Sequence, residues 1–110
     1  MPTTYKVLGQ LAPANTSEAT LYTVPSATQT IISTLVISNL TATAANATVS
    51  VCVSGAATSN ANSILKTIPI AASSVASFTL GITMGAADLI RVTTATANSL
   101  SFQAFGSEIS

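Results

Sequence analysis

Apolar positions in this chain recur in short alternating runs about ten residues apart, with proline, glycine and asparagine between them. The densest run is IISTLVISNL at residues 31–40. Strict alternation places Ile31, Leu35 and Ile37 on one face of a strand and Ile32, Val36 and Leu40 on the other, so both sides of the pleat are apolar. Such a strand is expected to be covered on both faces, by the domain's own loops or by another subunit. Its Ile, Val and Thr34 side chains favour a strand, and a helix carrying Ser33, Thr34, Ser38 and Asn39 is the weaker alternative. The segment ATVSVCVS at residues 47–54 is its expected partner. There Val49, Val51 and Val53 alternate with Ser50, Cys52 and Ser54, which assigns the valines to the core and points Cys52 away among serines.

The other runs read the same way. Residues 5–11 alternate loosely before Pro13, which cannot donate to a ladder, and are expected to form an edge strand. Residues 12–19 have the composition of a loop, and 21–24 form a short strand closed by Pro25. Residues 63–68 are expected to form a strand ended by Pro69. In 74–80, Ala76, Phe78 and Leu80 share a face. Gly81, Gly85 and Asp88 mark a turn region over 81–88, with the Asp88 carboxylate placed to bond its own backbone. Residues 89–94 turn Ile90 and Val92 inward and Arg91 outward. Residues 99–105 set Leu100 and Phe102 against Phe105, and 106–108 end the strand. About eight short strands with turn signals between them predict an all-β chain, an antiparallel β-sandwich or jelly roll, in a single domain over residues 1–110.

Composition changes what such a sandwich is expected to do. Charged residues are 5% of the 110, against about 25% in an ordinary soluble protein. Lys6, Lys66 and Arg91 balance Glu18, Asp88 and Glu108, so net charge does nothing to keep copies apart and association into a homo-oligomer is expected. Three scattered cations cannot neutralise a phosphate backbone, which argues against nucleic acid. The apolar runs fall far short of the ~20 residues a membrane-spanning helix needs. The start Met1-Pro2-Thr3-Thr4-Tyr5-Lys6 lacks the basic and then apolar segments of a secretory leader, so either the chain stays in the compartment where it is made or a leader was removed before it, and the starting Met favours the first. Cys52 is the single cysteine and forms no intrachain disulfide. The Asn-x-Ser/Thr triplets at Asn15, Asn39 and Asn46 are chance products of a Ser- and Thr-rich chain.

Catalytic inventory is thin. Histidine is absent, so neither a Ser-His-Asp triad nor a Cys-His pair can be built within one subunit. Cys52 sits between valines with no cation beside it in sequence, which favours a structural thiol. The acids lie on three separate segments, and no loop carries the paired carboxylates that a calcium site or glycoside hydrolysis uses. Catalytic residues, cofactors and metals are therefore expected to be none. The segment around Tyr5 and Lys6, with Tyr22, combines an edge strand with exposed-type aromatics and is the candidate interface.

Three segments carry a resemblance: Tyr5-Lys6-Val7-Leu8-Gly9-Gln10, Leu21-Tyr22-Thr23-Val24-Pro25 and Phe102-Gln103-Ala104-Phe105-Gly106-Ser107-Glu108. With the turn and strand over 80–92, they resemble small β-sandwich virion structural proteins of tailed bacteriophages, including phages of cyanobacteria. The resemblance implies a virion protein, assembled in the host cytoplasm, with the major capsid protein or other virion proteins as partners. A capsid decoration or cement protein that bridges capsid subunits is the leading expectation. A tail, baseplate or fibre protein, or a module binding host-surface glycans, is the alternative.

Overall fold

Alternating apolar residues form strands along the whole chain. The computed structural model describes residues 3–110, and Met1 and Pro2, on which the expectation about a leader partly rests, lie outside them. Among the described residues there are nine strands: β1 (Thr3–Leu11), β2 (Ala19–Thr23), β3 (Gln29–Asn39), β4 (Ala45–Cys52), β5 (Ser63–Ile70), β6 (Val75–Phe78), β7 (Ile82–Met84), β8 (Leu89–Thr94) and β9 (Leu100–Ile109). Sheet I runs β1-β9-β3, with β6 and β7 both on the far side of β3, and sheet II runs β2-β8-β4-β5. Every pairing is antiparallel. The chain is the expected antiparallel β-sandwich, and the ninth strand is β7, formed inside the segment read as a turn.

The core lies between the two inner faces. Leu35, Ile37, Leu100, Phe102 and Ala104 of sheet I and Ala47, Val49, Ile90 and Val92 of sheet II have no exposed surface. Each large side chain among them contributes about 1.5–3 kcal/mol by leaving water.

The expected pairing of β3 with β4 does not form. Asn39 closes a corner at the end of β3: its side-chain amide donates to the carbonyls of Thr43 (2.9 Å) and Ile70 (3.0 Å). Its side-chain oxygen accepts from the Thr41 backbone N–H (2.9 Å) and hydroxyl (2.8 Å). The chain therefore leaves sheet I and enters sheet II, so β4 faces β3 across the core and pairs with β5 and β8. With all its hydrogen-bonding capacity used inside the fold, the buried Asn39 amide is also unsuited to glycosylation.

Strand β9 is the spine of sheet I, and both of its neighbours bulge beside Phe105. Val7 on β1 and Thr34 on β3 lie opposite Phe105, while Leu8 and Ser33 are the extra residues. The Ser33 hydroxyl donates to the Phe105 carbonyl at 3.1 Å, which anchors the bulge. An extra residue reverses the alternation beyond it. Ile32 therefore joins Leu35 and Ile37 in the core at 1% exposure, and Ile31 turns outward at 38%. This exchanges the two isoleucines relative to strict alternation. Gly106 lies opposite Ile32 at the same point, where a side-chain carbon would strike the Ile31 carbonyl.

Other expectations change at strand ends. Pro69 does not end β5, which runs on to Ile70, because β5 is an edge strand and a missing N–H on its outer side breaks no ladder bond. Val53 lies in a 3-10 turn, Val53–Gly55, and is exposed, leaving Val49 and Val51 as the core-side valines. Leu80 falls beyond β6 and is exposed, while Ala76 and Phe78 pack on the core. Residues 106–108 continue β9 to Ile109.

Candidate interaction face

The outward positions of sheet I follow from the register. On β1 they are Thr3, Tyr5, Val7 and Gln10, and on β9 they are Ser101, Gln103, Phe105, Ser107 and Ile109. On β3 they are Gln29, Ile31, Thr34, Val36 and Ser38, joined by Val75 and Ser77 of β6 and Thr83 of β7. Among the described residues no Lys, Arg, Asp or Glu stands on this face. Tyr5 (84% exposed), Val7, Ile31 and Phe105, with Lys6, Ser33, Gly106 and Ser107, line a shallow groove of about 520 Å³. The bulges create the patch, since without the Ser33 insertion Ile31 would turn inward.

The charges are placed elsewhere. Lys6 alternates with Tyr5 and Val7, so it turns to the inner side of sheet I, where its ammonium lies 3.0 Å from the Glu108 carboxylate. Glu108 also accepts a 2.5 Å hydrogen bond from the Tyr22 hydroxyl, and that hydroxyl lies 2.8 Å from the Thr30 hydroxyl. With its one proton given to Glu108, the phenol accepts from Thr30. Burial, followed by the neighbouring carboxylate, pushes the Tyr22 phenol up to about 12. The bond from Tyr22, then that from Lys6, holds the Glu108 carboxyl below its ordinary value.

On sheet II, Arg91 points outward as expected, 3.6 Å from Glu18 and 2.8 Å from the Ala56 carbonyl. Cys52 does point away from the core, yet it is buried beneath the segment that follows β4. Arg91 is 3.6 Å from its sulfur, and Thr58 and Asn62 are each 3.9 Å away. The Asp88 carboxylate accepts from the Gly85 and Ser54 backbone N–H groups at 2.9 Å each, the turn role expected of it with one added partner. Lys66 bonds the Asn60 side chain at 2.7 Å.

No protein-family model, no curated protein and no solved structure matches this chain. What the face can do is set by its own chemistry. Of the three residues expected at an interface, Tyr5 stands on this face and Lys6 lines its groove. By register Lys6 turns to the opposite side of β1 from Tyr5, and Tyr22 is buried on β2 of the other sheet, so its ring cannot meet a partner. Val7, Ile31 and Phe105 were missed. Their outward direction follows partly from alternation, as for Phe105 against Leu100 and Phe102, but for Ile31 it depends on a bulge that leaves no mark in sequence.

An uncharged face with an aromatic and aliphatic centre and a Ser, Thr and Gln margin has the composition of a protein-binding surface core. Nothing on it would be left as an unpaired buried charge when water is displaced.

Proposed function

We propose that this chain is a non-enzymatic assembly module that acts by packing the outer face of sheet I against protein. The single observation that carries this reading is the segregation of charge. By register the six charged residues stand on the inner side of sheet I, on sheet II or in its flanking loops; the half-exposed Lys6 reaches the rim of the groove, and the broadest sheet face has no charged residue at an outward position. The three acids support it further, each being engaged by a cation, a phenol or backbone N–H groups in a structural role.

The assembly we propose is a virion, with the chain decorating or cementing a capsid by bridging the major capsid protein or its neighbours. This finer reading is supported by the resemblance of residues 5–10, 21–25 and 102–108 to small virion proteins. A rigid sandwich with one uncharged face fits a role that needs contact area and no chemistry. Quantitative mass spectrometry of separated heads and tails tests it. Many copies on heads are expected, and a few copies confined to tails would remove the cement role.

A further inference from the structure

We propose that the outer face of sheet I binds the same face of a second copy, giving a two-fold, face-to-face dimer; this deepens the assembly reading by naming its first partner. A two-fold axis through a face sets that face against itself, so a face with a net charge of one sign meets its own sign. The outward positions of sheet I carry no charged residue, Lys6 and Glu108 turning to its inner side, whereas sheet II presents Arg91 and Glu18 and is partly covered by the segment after β4.

The extent of the face is also sufficient. Strands β1, β9 and β3 are 9, 10 and 11 residues long, so the face is about 30 Å long by strand rise and about 19 Å wide across four strands, or about 600 Å² per copy. Two copies would bury roughly 1,200 Å², above the ~1,000 Å² expected of a specific interface. Sheet-on-sheet contact reproduces the packing already used inside the molecule.

The edges do not compete well. Strand β5 carries Lys66, Pro69 and a positive φ of 53° at Thr67, β6 and β7 are 4 and 3 residues long, and β2 has 5. Strand β1 is longer but carries the Leu8 bulge and the inward-turned Lys6. These are the devices that block strand addition, so the free surface left for a copy is the face.

Sedimentation equilibrium of the full chain over a concentration series tests this. The expected result is a monomer–dimer equilibrium whose dissociation constant rises at least ~tenfold in Ile31→Lys and in Ser77→Lys, which place like charges on the face away from the β1 edge. Ser77 is exposed on β6, so its variant should keep the native far-UV circular dichroism even if Ile31→Lys does not. Thr93→Lys, on the outer side of sheet II, should dimerise as the parent does. A parent chain that stays monomeric throughout overturns the dimer, as does a dimer weakened equally by Thr93→Lys or unaffected by Ser77→Lys. A monomer that still co-sediments with heads would overturn the dimer alone and leave the assembly reading standing.

Discussion

The Tyr22 hydroxyl donates to the Glu108 carboxylate across 86 positions of sequence, tying β2 of sheet II to β9 of sheet I. Thr30 on β3 and Lys6 on β1 complete the link, so four strands meet at one polar clamp near the end of the sandwich. Sheets packed by apolar side chains alone can slide, because dispersion and burial have little direction. A hydrogen-bonded carboxylate between them restricts that sliding.

Tyr22→Phe removes one hydroxyl and strands two partners, Thr30 and a charged carboxylate. The expected loss is about 1.5–3 kcal/mol, the range for a hydrogen bond to a charged group. Urea denaturation of the variant and parent, compared at unchanged slope, measures it.

Because the folded Glu108 carboxyl is held below its ordinary value of 4.5, it binds its proton less readily when folded than when unfolded. Its contribution to stability is therefore complete above pH 4.5 and is lost as pH falls through the lowered value. Glu108→Gln should flatten that acid limb, so the difference between the two urea-midpoint curves from pH 7 to pH 3 should shrink with acid. Tyr22 has the opposite sign: raised from 10.0 to about 12, it stabilises the fold below pH 10 and loses that contribution as pH climbs through about 12. In a Tyr5→Phe background Tyr22 is the sole tyrosine, and its phenolate absorbance should rise near pH 12 in the folded protein.

The Ser33 bulge makes Ile31 and Ile32 energetically unequal. Ile32→Ala opens a cavity beside Leu35 and Ile37 and should cost about 2–5 kcal/mol, whereas Ile31→Ala should cost under about 1 kcal/mol in the monomer. Thermal unfolding of the two variants gives the order directly. Equal costs would mean that the bulge is absent in solution.

Gly106→Ala should be among the most damaging single-atom additions, because its new carbon is directed at the Ile31 backbone carbonyl and backbone cannot rotate aside. Soluble yield and urea midpoint should both fall. Gly85→Ala is the comparison: its added carbon meets only the Asp88 carboxylate, at 3.8 Å, so a small change is expected.

Cys52 is buried under the segment after β4 and should react with a thiol reagent only after that segment opens. Labelling in native buffer is expected to be slow and to accelerate sharply in urea at the unfolding midpoint. Fast native labelling would mean that residues 53–62 do not cover the thiol.

Much of this protein was legible from alternation, because the direction of a side chain from a strand is a local property of period two. Ile90 and Val92 inward with Arg91 outward, Leu100 and Phe102 opposed to Phe105, the edge position of β1 and the turn role of Asp88 all follow from residues a few positions apart. Which strand lies beside which does not, since pairing joins residues far apart in sequence, and β3 chose β9 over its neighbour β4 through the corner built by Asn39. Phase is equally non-local. One extra residue at Ser33 exchanges Ile31 and Ile32, and that residue is held in place by a carbonyl on β9. The lack of charge was plain in the amino-acid sequence, but the turning of Lys6 and Glu108 to the inner side of sheet I was decided only when they met Tyr22 in the folded chain.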